Sequence, residues 1–268
     1  MEQKIKVLVI GCNGMAGHVI KSFLDHKQKY DVIGIARGIK ESKKLINLDV
    51  REVNELQKVL SKYNFDVVIN CVGILNKKAE DNPELAIWIN SYFPHLLSSY
   101  GLKFKFKLIH ISTDCVFSGK TGNYTESSYR DGFGFYAQSK ALGEVCDDKN
   151  LTIRTSIIGP ELNKNGIGLF NWFMYQSNEV YGYMNAIWTG ITTVELAEGI
   201  DSAIEQNVVG LHHFVNNTKI SKYDLLKILN KVFRNNEINV KIDNDYVVDK
   251  SLICTRKDFN FTFSSYAD

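Results

Sequence analysis

Apolar residues along the chain fall into short, β-branched runs separated by stretches with helical spacing. The first run, Ile5 to Ile10, is broken by Gly11-Cys12-Asn13-Gly14-Met15-Ala16-Gly17, and a helical stretch follows from His18 to Asp25. Asp31 to Ala36, Asp66 to Val72 and Lys107 to Ser112 repeat the apolar run, and Leu151 to Thr155 supplies a fifth strand. Such runs suit strands buried on both faces. Strands alternating with helices predict a parallel sheet, and right-handed crossovers make a doubly wound α/β architecture the economical solution.

The texture changes after Gly159. Pro160, Asn163, Asn165, Gly166 and Gly168 open a loop before the aromatic stretch Phe170-Asn171-Trp172-Phe173-Met174-Tyr175. Val194 to Glu205 reads as a helix and Gly210 to Val215 as a short strand. Ser221 reads as the N-cap of another helix, with Asp224 at the capping-box position. The expected division is a dinucleotide-binding unit over 1–160 and a smaller substrate-binding lobe over 161–268, with a segment near 186–205 returning to the larger core.

The chain has 268 residues, 44% hydrophobic and 23% charged, enough to bury a core and unlike a disordered, collagenous, coiled-coil or membrane chain. Lys plus Arg number 32 against 30 for Asp plus Glu; the net charge of +2 gives no pull toward nucleic acid or anionic lipid. The five cysteines form no C-x-x-C pair, and no export signal is visible. Reduced thiols in a cytoplasmic protein are the simplest reading.

Four places suggest chemistry near the strand ends. Gly11-x-x-Gly14-x-x-Gly17 lies where a strand hands over to a helix, so Gly11, Asn13, Gly14, Met15 and Gly17 are candidate contacts for a pyrophosphate. Arg37 ends the second strand where an acidic residue would suit a free ribose 2′-hydroxyl; a guanidinium suits a 2′-phosphate, which favours NADPH, with NADH the alternative. Asp49 and Val50 fall where an adenine contact would sit, although Asp49 would equally cap a helix starting near Glu52. Cys71, Val72 and Gly73 end another strand at the ligand-facing edge.

The fullest constellation is Ser112-Thr113-Asp114 followed by Tyr136-Ala137-Gln138-Ser139-Lys140. Tyr and Lys four apart share a helix face. A phenol, with a pKa of ~10, becomes an effective proton donor at neutral pH when an ammonium stabilises its anion. A hydroxyl from Thr113 or Ser112 would hold a carbonyl oxygen while Tyr136 delivers a proton and a nicotinamide delivers hydride.

With these residues the chain resembles the extended short-chain dehydrogenase/reductase superfamily. Ser112-Thr113-Asp114-Cys115-Val116-Phe117-Ser118-Gly119, Tyr124-x-Glu126 and Tyr136-Ala137-Gln138-Ser139-Lys140-Ala141-Leu142-Gly143-Glu144 make it similar to the dTDP-4-dehydrorhamnose reductase family of nucleotide-sugar reductases. That likeness runs over about residues 5 to 160 and more weakly through Ile191 to Ala197. It implies a Rossmann fold and NADPH-dependent reduction of the 4-keto group of a nucleoside-diphosphate 4-keto-6-deoxyhexose, in surface polysaccharide precursor synthesis. Thr113, Tyr136 and Lys140 carry over as the catalytic set, with Tyr136 and Lys140 also touching the cofactor. Asn90 matches a cofactor-side position, and Arg154 a basic residue on the fifth strand.

Cys115 stands where the family has an aromatic beside the Asp, and Ala137 where it has Gly, so the sugar and its nucleotide stay open. Ser112, Asp114, Cys115 and Trp188 are the candidate substrate contacts. Phe170, Trp172, Tyr183 and Trp188 form either a core face or a base-stacking platform. His212-His213 is rejected as a metal site because neighbours on a strand point to opposite faces, and no metal is expected. A nucleotide-sugar epimerase or dehydratase with retained NAD, or a non-catalytic NADP-binding regulatory subunit, would be built on the same fold. Family relatives are often dimers, which leaves a homodimer open.

Overall fold

A computed structural model of the protein describes residues 3–163, 166, 168–216 and 218–266. Asn165 of the expected loop lies outside the described residues. The centre is a seven-stranded parallel sheet built from β1 (Ile5–Ile10), β2 (Tyr30–Ala36), β3 (Leu45–Asn47), β4 (Val67–Asn70), β5 (Lys107–Ile111), β6 (Leu151–Arg154) and the strand Gly210–His213. Their spatial order is β3-β2-β1-β4-β5-β6, then Gly210–His213. The order reverses between β1 and β4, where Val9 is in register with Gly34 on one side and Ile69 on the other. Connections leave that point toward opposite faces, which opens a crevice at the carboxyl ends of the strands.

Alternation along each strand sorts the core into two layers. Val7, Val9, Val32, Ile69, Ile109 and Ile153 pack beneath the helices Met15–His26 and Thr193–Glu205. Leu8, Ile10, Ile33, Ile35, Val68 and Leu108 pack beneath Val53–Tyr63 and Phe93–Phe104. Each such aliphatic side chain contributes roughly 1.5–3 kcal/mol relative to exposure, so the sheet is a stiff platform for the loops at its edge.

Two strands of this sheet differ from expectation. β3 was not foreseen, because three half-exposed residues at a sheet edge are too few to show a period. Gly210–His213, expected within the smaller lobe, instead extends the central sheet, with Gly210 opposite Leu151 and His213 opposite Arg154. Such a pairing is decided by tertiary packing, which local pattern does not encode.

The smaller lobe has its own core of Phe173, Val180, Trp188, Leu225, Leu226 and Leu229. Ala186–Trp188, expected to return to the larger unit, stays in this lobe, antiparallel to Ile220–Ser221 and parallel to Val248–Asp249. The return begins with Thr193–Glu205, which a Thr192/Glu195 capping box starts. Ser221 caps the helix Lys222–Phe233 by accepting the Asp224 N–H at 3.0 Å, as its sequence predicts.

Candidate functional site

At the switch point the three glycines have three different reasons to be glycine. Gly11 has φ +84, a left-handed conformation that disfavours a side chain. A Cβ on Gly17 would lie 2.1 Å from the Gly11 carbonyl oxygen, so the helix can approach the loop only without one. A Cβ on Gly14 would meet only the Gly11 oxygen, at 3.4 Å, and this open side is where an anion reaches the helix N-terminus. The loop thus fits a pyrophosphate.

A cavity of about 510 Å³ begins there and runs along the sheet edge. Gly11, Asn13, Gly14, Arg37, Asp49, Val50, Cys71, Val72 and Gly73 all line it. Five other candidates do not, among them Tyr136 and Lys140 of the helix Gly134–Leu142. Gly17 is spent on packing against the loop, and Met15 points toward Gly168, where an added Cβ would lie 2.3 Å from its Cε. Asn90 sits in a π-helical turn, Ile87–Tyr92, and is fully engaged: its Oδ1 accepts the Ile74 N–H, and its Nδ2 donates to the Ile74 carbonyl and the Ser139 hydroxyl. Instead of touching the cavity, it holds in place the loop that forms its wall.

At the far end of the cavity Asp49 lies between two guanidiniums, 2.7 Å from Arg51 and 3.4 Å from Arg37. The bond from Arg51 holds its carboxyl down to about 2, against a smaller opposing effect of burial. Asp49 is not a helix cap, since the helix Val53–Tyr63 follows Glu52 and has no side-chain cap. Arg37 keeps 66% of its side chain exposed at the rim of the cavity. Arg51 and Gly38 also line the cavity; Arg51 could have been found as a second base two residues beyond Asp49.

Thr113 ends the loop after β5. Its hydroxyl donates to Asp114 at 3.1 Å and accepts the Cys115 N–H at 3.1 Å. Burial, and next the neighbouring Cys115, push the Tyr136 phenol well above its ordinary range, against a smaller opposing effect of the Thr113 hydroxyl. Tyr136 lies in the first turn of the helix Gly134–Leu142, whose N-terminus the Glu80 carboxylate caps by accepting the Phe135 and Tyr136 N–H groups, each at 3.1 Å. One turn on, Lys140 is 4% exposed and donates to the Ile111 carbonyl at 2.7 Å. Burial depresses it to about 8. Glu80 escaped sequence reasoning, because a surface glutamate far along the chain carries no local signal.

A second cavity of about 560 Å³ lies toward the smaller lobe and is lined by Asp114, Cys115 and Trp188, with Trp172, Tyr181, Tyr183 and Tyr246. The aromatic residues divide their roles. Phe170 packs edge-on against Phe233 in the lobe core, and Trp172 and Tyr183, 40% and 42% exposed, face the cavity. Trp188 is only 3% exposed, and its indole Nε1 has no hydrogen-bond partner. Two lysines that the sequence did not single out line the same cavity: Lys250, and Lys222, whose ammonium lies 4.3 Å from the Trp188 ring centroid. Burial brings Lys222 down to about 8.

Ser112 is a correction. It is absent from both cavities, and its hydroxyl donates to Glu144 Oε1 at 2.8 Å. Glu144 in turn holds Arg154 through bonds of 2.7 and 2.8 Å, so Ser112 and Arg154 belong to a buried ion-pair network behind the site. Tyr124 and Glu126 are likewise structural. Tyr124 stacks on Phe117 at 4.3 Å, and Glu126 accepts the backbone N–H groups of His213 and Thr255.

Sheet order and glycine loop together put the chain among the doubly wound, Rossmann-type dinucleotide-binding folds. Comparison with known proteins narrows this. The chain belongs to the RmlD substrate binding domain family, whose model matches residues 5–246 and so reaches into the smaller lobe. It is 31% identical over 140 residues to Agl14 of Haloferax volcanii, described as a probable low-salt glycan biosynthesis reductase, over 51% of this chain and 46% of that protein. It is 23% identical to the dTDP-4-keto-6-deoxy-D-glucose reductase of Streptomyces niveus over 234 residues, 82% of this chain and 76% of that one. The structure of a dTDP-4-dehydrorhamnose reductase from Bacillus anthracis, in complex with NADP, shares the fold with a TM-score of 0.83 at 22% identity, covering 98% of this chain and 96% of that one.

Proposed function

We propose that the protein uses NADPH to reduce the 4-keto group of a nucleoside-diphosphate 4-keto-6-deoxyhexose, supplying a precursor for surface polysaccharide in the cytoplasm. The observation that supports this is that Tyr136 and Lys140, one turn apart on a helix, each interact with a cysteine that lines a different cavity. The Tyr136 phenol neighbours Cys115 of the second cavity, and Lys140 interacts with Cys71 of the first. Among the described residues, no helix is long and apolar enough to cross a membrane.

When bound, the nicotinamide supplies hydride to the carbonyl carbon. The Thr113 hydroxyl orients the keto oxygen, Tyr136 gives it a proton, and the Lys140 ammonium one helical turn away stabilises the phenolate left behind. Arg37 pairs with the ribose 2′-phosphate. In the second cavity the cations of Lys222 and Lys250 suit a diphosphate, and the exposed rings of Trp172, Tyr181 and Tyr183 suit a base or sugar face.

NADPH oxidation against freshly generated dTDP-linked and UDP-linked 4-keto-6-deoxy sugars tests this reading. Consumption with one of them, abolished in Tyr136→Phe while NADPH still binds, is the expected result. NADPH binding without consumption across the panel would overturn the reductase reading in favour of an epimerase or a regulatory subunit.

A further inference from the structure

Behind Lys140 lies a fully buried polar chain that the proposed reaction does not use. Asn70 ends β4, and His110 stands opposite it on β5; neither has any exposed surface. The Asn70 Nδ2 is 3.1 Å from His110 Nδ1, and His110 Nε2 is 3.4 Å from Lys140 Nζ. Burial, with the charge of Lys140 next and then that of His95, keeps the imidazole neutral, so it carries one N–H.

Hydrogen-bond accounting decides which nitrogen holds that proton. The Asn70 Oδ1 already accepts the Val72 N–H at 3.2 Å, so the amide must turn its NH₂ toward His110. Nδ1 is therefore an acceptor and the proton sits on Nε2, facing Lys140. An ammonium there would set N–H against N–H, whereas an amine offers a lone pair. The carbonyl of Ile111 accepts from Nζ in either form.

We infer that His110 is a positioning residue for Lys140: the Val72–Asn70 chain fixes its proton on Nε2 and aims it at Nζ, favouring the amine over the ammonium. The significance for turnover rests on the proposed reading of Lys140 as the partner of Tyr136. The other groups acting on Lys140 are Glu144 and Cys71, which favour the ammonium but do not offset burial. Across β6 the neighbour of His110 is the uncharged Thr152, which donates to Val145. Dividing the lysine between its two forms near its working pH lets it both lend and take back a proton.

The test reads the tautomer directly, by ¹⁵N imidazole shifts of the full-length protein, and the Lys140 midpoint by its ¹³Cε shift. Neither needs a sugar substrate, so a failed reductase assay and a failed relay are separate results. Nε2–H is expected in the natural protein. Asn70→Asp, whose carboxylate accepts from both Val72 and Nδ1–H, should move the proton to Nδ1 and raise the Lys140 midpoint by about one pH unit or more. His110→Gln, able to continue the same chain with its N–H on Nζ, should hold the midpoint. A proton on Nδ1 in the natural protein, or an unmoved midpoint in Asn70→Asp, would overturn the inference. If Asn70→Asp fails to fold, the natural tautomer alone decides.

Discussion

The Glu80 carboxylate accepts the backbone N–H of Tyr136 at 3.1 Å, so a residue of the short helix Asn76–Asp81 fixes the first turn of the helix that presents the phenol. Its other oxygen accepts the Phe135 N–H, which makes Glu80 a cap supplied from outside the helix. Glu80→Ala should cost about 1 kcal/mol of stability and lower kcat with NADPH affinity kept. Thermal unfolding and steady-state kinetics check both, and an unchanged kcat would show that the phenol is held without the cap.

Arg37 bears on cofactor choice. Arg37→Ala should weaken NADPH about tenfold, equivalent to ~1.4 kcal/mol, and leave NADH nearly unchanged. Fluorescence titration with the two nucleotides gives the ratio. A ratio that does not move would return Arg37 to a simple partner of Asp49.

Glu144 and Arg154 are both almost fully withdrawn from water, and removing one strands the other. Glu144→Gln should lose about 3 kcal/mol, read as a lower midpoint in urea. Burial opposes ionisation of Glu144, but Arg154 and Ser112 outweigh it and hold its folded carboxyl below 4.5. Its contribution to stability is therefore complete above the unfolded value and is lost as pH falls through the folded one. An acid limb that is unchanged in Glu144→Gln would contradict this.

Lys140 gives a slope of the same sign at the alkaline end. Its midpoint is depressed from 10.5 to about 8 by burial, so between those values the unfolded chain binds the extra proton and stability rises with pH. Reduction should fall over the same region, as the ammonium that supports the phenolate is lost above about pH 8. Lys140→Met should abolish turnover and flatten its share of the stability slope, measured by urea unfolding at pH 8 and pH 10.

Local chemistry was the legible part of the sequence. The run Ile5 to Ile10 followed by spaced glycines is a strand, a tight turn and a helix start, and each follows from neighbouring residues alone. Direction was harder to read. Ser112 and Thr113 are adjacent hydroxyls, but extended backbone sends one toward Glu144 and leaves the other beside Tyr136. Asn90 was legible as a position but not as a role, because its partner Ile74 is set by how a loop folds back. His110, a lone imidazole in an apolar strand, was the overlooked signal; a polar side chain among Leu108, Ile109 and Ile111 needs a buried partner.

The π-helical turn at Ile87–Tyr92 amounts to one surplus residue wound into an otherwise regular segment. Removing a single residue there would restore the ordinary ladder and rotate everything upstream relative to everything downstream by about 100°. Asn90 would lose Ile74 and Ser139 together, and Gly143, whose added Cβ would lie 1.8 Å from the Asn90 carbonyl oxygen, would lose the surface it fits. Chain length in this segment is thus itself a functional property, and a one-residue deletion would damage the protein more than most substitutions within it.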